Sequence, residues 1–467
     1  MIEKIYPVTR NQQIEIEVER LAFGGKGLAR IKDYVIFIDQ SLPGDRVLVQ
    51  ITRRKPNYAE AKLLKIIKPS ALRIEAPCPY FGWCGGCTWQ NLAYENQLKF
   101  KREHIQESLK QLAGVEEYTI YDPVPSALIW GYRNKMEFSF SDHRWLMPEE
   151  MQQGNINREY VLGLHVPGTY NKILNIDNCL LQSQAANGVL RMVDDYCGRN
   201  RLPVYGLKSH QGYLRFLVIR QSFYNGEIMV NLVTAEKKPE ILKPLTQQLV
   251  AEYPEVSSVI NSINTRKAQI AFGEEEIVLY GKDHLLERMN DMMFKISANS
   301  FFQTNSTQAQ RVYDLVLEYA GLNGSGVVWD LYCGTGTIAL MLARQAGQVY
   351  GFELIASAVQ DAVRNAEEYG AGNVHYVAGD LLQNLNQIGD LPEVVVTDPP
   401  RSGMHHKVCE FLKGSGAKKI IYVSCNPTTM ARDIKLLYDN YKLIRVQPVD
   451  MFPHTYHIET VSELMRR

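Results

Sequence analysis

Val327-Val328-Trp329-Asp330-Leu331-Tyr332-Cys333-Gly334-Thr335-Gly336 is an apolar run that closes on an acid and a glycine pair. It reads as a strand running straight into a tight turn, with a helix over residues 338–344 behind it. The glycines let backbone approach a ligand closely. The next apolar run, residues 349–352, ends at Glu353, about twenty residues on, where a carboxylate can accept both hydroxyls of a ribose. After His375-Tyr376-Val377-Ala378-Gly379 comes Asp380, placed at a third strand end to accept from an adenine amino group. The third glycine of a dinucleotide fingerprint is missing, which disfavours a pyrophosphate. S-adenosylmethionine, with ribose and adenine but no phosphate, fits the pattern better.

Outward from this stretch, apolar runs at 394–397 and 420–423 alternate with amphipathic segments such as 356–369, the rhythm of a doubly wound α/β sheet from about residue 296 to 467. The first 70 residues read differently. Ile14-Glu15-Ile16-Glu17-Val18 alternates, Tyr34-Val35-Ile36-Phe37-Ile38 is apolar, and Arg46-Val47-Leu48-Val49-Gln50-Ile51 follows a Pro43-Gly44-Asp45 turn. Short strands with turn glycines (Gly24, Gly25, Gly27) suit a small OB-like barrel of the kind that holds single-stranded nucleic acid. These 70 residues carry 13 Lys and Arg against 8 Asp and Glu, a local basic surface within a chain of zero net charge. Between lies an α+β region, residues 71–295, with a helix-like stretch at 94–112 and strands at 214–219 and 228–233. Its segment Tyr132-Arg133-Asn134-Lys135-Met136-Glu137-Phe138 puts Arg133 and Lys135 on one strand face as candidate phosphate contacts.

A length of 467 residues is too great for one ordinary core and agrees with this multidomain division into 1–70, 71–295 and 296–467. No run approaches eighteen apolar residues, and Met1-Ile2-Glu3-Lys4 lacks the character of a signal peptide. The expectation is a cytoplasmic protein with no membrane and no obligate protein partner, whose eight cysteines stay reduced. Three of them cluster in Cys78-Pro79-Tyr80-Phe81-Gly82-Trp83-Cys84-Gly85-Gly86-Cys87. With one distant partner, that spacing suits an iron–sulfur cluster or a closed zinc site equally. The Cys-x3-Cys-x2-Cys spacing of a radical enzyme is not met.

Asp398-Pro399-Pro400-Arg401 ends the strand at 394–397, and Ser424-Cys425-Asn426-Pro427 ends the strand at 420–423, so both should lie at the carboxyl edge beside the cofactor. Methylases of exocyclic amines carry an aromatic residue where Arg401 stands. Carbon is the better acceptor. C5 of a pyrimidine is too weak a nucleophile unaided, and a thiolate adding to C6 turns it into an enolate; Cys425 supplies the thiol. The C5 proton must then leave, and Glu459, at the end of Pro453-His454-Thr455-Tyr456-His457-Ile458-Glu459, is the candidate base. An ordinary thiol is only a few per cent ionised at neutral pH, so local activation of Cys425 is expected. His454 and His457 read as loop-forming or RNA-contacting residues, since no further ligand stands at metal spacing.

These motifs, with Phe301-Phe302-Gln303-Thr304-Asn305 and Asp450-Met451-Phe452 before the base loop, resemble the signatures of the RNA uracil-C5 methyltransferases. The N-terminal segment resembles their TRAM domain. The resemblance spans essentially the whole chain. It implies a Rossmann-like catalytic domain, Cys425 as nucleophile, Glu459 as base, and Gln303, Tyr332, Thr337, Glu353, Asp380 and Asp398 lining the cofactor and base pocket. At Tyr332 and Thr337 the chain departs from the family's frequent Phe and Asn. The resemblance also implies that Cys78, Cys84, Cys87 and Cys179 ligate a [4Fe-4S] cluster, as in the branch that modifies 23S ribosomal RNA, with a single-stranded or flipped uridine as target. Transfer RNA is the alternative substrate. An RNA cytosine-C5 methyltransferase would carry a second cysteine where Pro399 and Pro400 stand, and an iron–sulfur RNA-binding module with an inactive α/β domain is the competing non-enzymatic reading.

Overall fold

The quoted run folds as read: strand Val327–Leu331, a turn, then helix Thr337–Ala343. The computed structural model describes residues 6–152, 154, 156, 158–385 and 388–467. From residue 327 onward strands alternate with helices, and the eight-stranded sheet has the order Val374–Ala378, Gln348–Glu353, Val327–Leu331, Val394–Thr397, Lys419–Ser424, Glu459–Arg466, Tyr441–Val449, Thr119–Ile120. The first five strands are mutually parallel; Glu459–Arg466 runs antiparallel between Lys419–Ser424 and Tyr441–Val449. Chain order reverses between Val327–Leu331 and Val394–Thr397, and ligands of such sheets bind outside the carboxyl ends at that point. The sheet's strands are buried on both faces and therefore rich in Val, Ile and aromatic residues. Trp329 anchors the core, fully buried and stacked on Phe411 at 6.2 Å between ring centroids, with Phe352 edge-on at 5.6 Å.

The chain divides into two compact units, one of Met1–Pro77, Cys87–Ser126 and Arg311–Arg467, the other of Cys78–Gly86 and Ala127–Gln310. This differs from the three segments expected at 70/71 and 295/296. Residues 87–126 join the first unit because helix Tyr94–Ser108 and the turn Leu109–Ala113 bury Ile105 and Leu109 beside Met430, Ile434 and Leu437, and because Thr119–Ile120 adds an edge strand to the α/β sheet. The later boundary falls inside helix Ser306–Ala320 rather than before it.

The N-terminal part of the first unit is a six-stranded sheet, ordered Gln13–Glu17, Arg46–Arg54, Tyr58–Lys68, Tyr34–Ile38, Gly27–Ile31, Arg20–Leu21, around a core of Ile36, Ile38, Val47, Val49 and Ile51. Its basic character is moderated on the surface, where Arg46 pairs with Glu15, Arg30 with Glu19 and Lys26 with Asp39.

The second unit holds an eight-stranded mixed sheet centred on Leu214–Gln221 and Lys135–Ser141, with helices Gln184–Arg199 and Lys243–Glu252 sharing its core. Arg133 precedes the strand rather than lying on it, and the Lys135 ammonium is paired with Glu137, so the expected two-residue phosphate face is not formed as a strand face. Among the described residues no helix is long and apolar enough to cross a membrane.

Trp329→Ala should destabilise the α/β sheet by about 3–5 kcal/mol, the usual cost of truncating a large buried aromatic. Scanning calorimetry should show an endotherm moving to lower temperature, and an unchanged endotherm would mean the sheet does not depend on this anchor.

Candidate active site

Register brings the two candidate catalytic residues together. Ser424 pairs with Thr460 across the antiparallel ladder, so Cys425 and Glu459, each one residue nearer the carboxyl edge of Lys419–Ser424, leave the ladder side by side. Each lies within electrostatic range of the other, with Asp398 and Arg401 as shared neighbours. Asp398 arrives from the adjacent strand, where Leu331 pairs with Thr397 and the Asp398 N–H donates to Leu331 O at 3.3 Å.

The loop that carries Cys425 is rigidly built. The Ser424 hydroxyl accepts from Asn426 N–H, and the Asn426 side chain caps helix Pro427–Leu437 by accepting from Thr428 N–H at 3.0 Å, with Pro427 at the first helical position. The Asn426 amide and Thr429 hydroxyl both donate to Arg401 O, and Asp433, fully buried, accepts from Met404 N–H and Tyr422 Oη, each at 2.7 Å. Gly403 has φ +76°, and a Cβ there would lie 2.6 Å from both Asp433 and Arg432 side chains. The Arg401 turn is therefore clamped onto the helix that follows Cys425.

Burial dominates the electrostatics. It pushes the Cys425 thiol up to about 11, Glu459 adding to the rise and Arg401 opposing it. Glu459 is raised well above the ordinary carboxyl range, first by burial and then by Asp398, again with Arg401 opposing. Asp398 is pushed up to about 6 by burial, and Asp330 well up by burial and Asp398. The activation expected for Cys425 is thus absent from the protein alone; Arg401 is the neighbour that favours both ionised forms. Sequence reading gave Arg401 only a negative role, as the missing aromatic. It gave none to Asp330, or to Tyr313 of helix Ser306–Ala320, a buried phenol within range of Asp398, Asp330 and Glu459. Tyr313 carries no motif, and only the packed helix reveals it.

The turn at 332–336 suits a cofactor. Tyr332 has φ +64° and Gly334 φ +56°, and a Cβ on Gly334 would meet nothing within 4 Å, so open space faces the turn. Glu353 accepts from Gly334 N–H at 3.1 Å and Ile355 N–H at 2.9 Å, which fixes its carboxylate at the turn. Asp380 is exposed and caps the short helix Leu381–Asn384. Thr337 is buried as the first residue of its helix, while the Tyr332 phenol is pushed up to about 12 by burial and lies towards Cys409 and Asp433. These residues fit a nucleoside cofactor. Gln303 belongs to the second unit, where its carbonyl accepts from the Asn134 amide at 2.8 Å.

The cysteine set is only partly gathered. In the second unit burial pushes the Cys84 thiol up to about 12, with Cys179 and Cys78 adding to the rise, and burial also raises Cys179, with Cys78 adding. The Gly86 N–H donates to Cys84 Sγ at 3.4 Å, and buried Asn187 clamps the Cys179 backbone through both its N–H and its carbonyl. Cys87 belongs to the first unit. Among the described residues no three His, Cys, Asp or Glu side chains are grouped closely enough to hold a metal ion. The expected four-cysteine set is thus not gathered into a metal-holding group among the described residues.

Because the Cys425 thiol sits near 11, its alkylation by iodoacetamide should quicken about tenfold per pH unit from 7 to 10, without the plateau near 9 of an ordinary thiol. Arg401→Met should slow it at every pH in that window, since Arg401 stabilises the thiolate. Peptide mass spectrometry at Cys425 reads both, and a plateau by pH 9 would show that the thiol is not desolvated.

A family model described as tRNA (uracil-5-)-methyltransferase matches residues 207–467, and a TRAM domain model matches residues 7–64. An uncharacterised RNA methyltransferase of Bacteroides thetaiotaomicron is 41% identical over 456 residues, 96% of this chain and 100% of that protein. Another, from Chlorobaculum tepidum, is 40% identical, covering 90% of this chain and 89% of its own length. Among solved structures, Pyrococcus abyssi tRNA (uracil-54, C5)-methyltransferase in complex with S-adenosyl-L-homocysteine superposes with a TM-score of 0.73 at 28% identity, covering 97% of this chain and 100% of that one. A family model over more than half of the chain, and relatives near 40% identity over nearly all of it, place this protein in the tRNA (uracil-5-)-methyltransferase family, with a TRAM domain at its N-terminus.

Proposed function

We propose that the protein methylates C5 of a uridine in RNA, with Cys425 as nucleophile and Glu459 as base. The pairing of Ser424 with Thr460, which sets thiol and carboxylate side by side at the sheet's carboxyl edge, carries this reading. Cys425 as thiolate adds to C6, and the electron pair of the C5–C6 double bond moves to the C4 carbonyl as an enolate. When bound, S-adenosylmethionine would supply an electrophilic methyl group for C5; the turn 332–336 would hold it, with Glu353 towards its ribose, Asp380 towards its adenine and Tyr332 and Thr337 as further contacts. Glu459 as carboxylate then takes the C5 proton, the C5–C6 double bond reforms, and the thiolate leaves. Asp398 shares the pocket as the group beside the base. Arg401 offsets the burial of the two ionised groups.

The substrate we favour is ribosomal RNA, 23S in particular. Its support is the sequence likeness of Cys78, Cys84, Cys87 and Cys179 to the cysteine set of the family branch that modifies 23S RNA, where a [4Fe-4S] cluster would take a structural or RNA-positioning role. Transfer RNA is the second reading, favoured by the full-length likeness to an enzyme named for uridine 54 of tRNA. A cytoplasmic location goes with either RNA.

Two experiments decide. Cys425→Ala should bind cofactor and RNA but form neither adduct nor product, whereas Glu459→Gln should accumulate a methylated protein–RNA adduct that survives denaturing electrophoresis. Turnover by Cys425→Ala would dismiss the covalent route, and wild-type turnover by Glu459→Gln would move the base elsewhere. Protein purified without oxygen should contain iron and sulfide in a ratio of about four to four; zinc in stoichiometric amount without iron would remove the cluster and its argument for ribosomal RNA.

A further inference from the structure

Glu459 opens its strand with support on one side only. It pairs with Val449, but on the Cys425 side the ladder ends at Thr460. The direction of its carboxylate therefore depends on the loop that delivers it, residues 450–458, and that loop is gripped by segments distant in sequence. Lys101 and Asp450 form an ion pair at 2.6 Å with both side chains fully buried, and Lys101 Nζ also donates to Phe452 O at 3.1 Å. Tyr94 Oη donates to the other Asp450 oxygen at 2.8 Å. One turn on from Tyr94, buried Gln97 accepts from His454 N–H at 2.8 Å through its amide oxygen, while its amide nitrogen donates to Trp89 O and Leu92 O. His454 O in turn accepts from both Thr88 N–H (2.9 Å) and Trp89 N–H (3.0 Å).

His454 has φ +64°, a conformation costly for a residue with a Cβ, and it persists only where the surroundings over-determine it. The barrel also contacts the loop, with Phe23 edge-on to Tyr456 at 5.5 Å and Leu21 and Leu42 in the cluster on which Tyr456 packs. A fully buried Lys–Asp pair is weak evidence for stability, because desolvation consumes much of the Coulombic gain. What such a pair does supply is direction.

We propose that Tyr94, Gln97 and Lys101 are positioning residues for Glu459, holding loop 450–458 so that the carboxylate meets the C5 proton after methyl transfer. This rests on the reading of Glu459 as base. The test uses the full-length protein, methyl-labelled S-adenosylmethionine, and total RNA from cells lacking this protein, tritiated at uridine C5. Methyl incorporation into RNA, free or protein-bound, reports addition and methyl transfer; tritium release reports deprotonation.

Gln97→Leu and Tyr94→Phe should retain methyl incorporation in a first turnover yet release tritium at least about tenfold more slowly, part of the about 10²- to 10⁴-fold that a general base contributes. They should accumulate the denaturation-resistant adduct. If Gln97→Leu does not fold, Tyr94→Phe, which leaves the ion pair intact, carries the test. Equal slowing of methyl incorporation and tritium release would reduce the network to a folding role and overturn the proposal, as would wild-type tritium release by Tyr94→Phe. Glu459→Gln runs alongside. If it forms no adduct, the base assignment and this inference fall together; if it does and the network variants do not, only this inference falls.

Discussion

One strand running against its neighbours makes the site possible. Parallel strands deliver their carboxyl ends to one edge, which is why Asp330, Glu353, Asp398 and Cys425 arrive there in succession. A base that faces the nucleophile has to come from a chain entering the sheet at that same edge. Glu459–Arg466, inserted antiparallel beside Lys419–Ser424, does this, so the last residue of one strand and the first of the next meet. A register slip of one residue would turn Glu459 to the opposite face and take its carboxylate away from Cys425.

The same closeness sets an electrostatic problem. The proposed mechanism needs a thiolate and a carboxylate to form beside Asp398, and burial opposes each charge. Arg401 is the cation that opposes the shift on both catalytic groups, and its turn is fixed by Asn426, Thr429 and Arg432 from the helix behind the nucleophile. A side chain that removes amine methylation from consideration in the sequence thus turns out to relieve the like-charge problem of carbon methylation. The proposed mechanism would use the two ionised forms at different times, thiolate first and carboxylate later, so the pocket need not carry both charges against the free enzyme's full desolvation penalty at once.

The α/β sheet was legible because its signals are local. Apolar runs bounded by Gly334, Asp398 and Cys425 fix strand ends without reference to anything distant, and the structure places Val394–Thr397 where the sequence does. The motif residues Cys425 and Glu459 were legible as types, but their approach depends on strand order and register, which no local pattern encodes. Segment 87–126 was assigned to the wrong neighbour for the same reason: Ile105 and Leu109 show an amphipathic helix, not which core receives them. Tyr313 and Asp330 were missed because a buried phenol and a strand-end acid are ordinary residues until the fold gathers them. The cysteines mark the opposite limit, where spacing suggests a ligand set that is not gathered into one group among the described residues.

Nucleophile and base are held by different means, and the order of events gives a reason. In the proposed mechanism Cys425 acts first and must be in place when RNA arrives, and it sits between a strand end and a capped helix of the α/β sheet. In the same proposal Glu459 acts last, on a carbon that has become tetrahedral and displaced its proton from the ring plane. A base fixed by the sheet alone would be placed for the planar ring. Support from helix Tyr94–Ser108 through Gln97 and Lys101 allows the carboxylate to be set for the later geometry without disturbing the thiol, because the two residues share a ladder only from Thr460 onward. The strain at His454 is then confined to the loop between two rigid elements, where it costs neither the sheet nor the nucleophile its alignment.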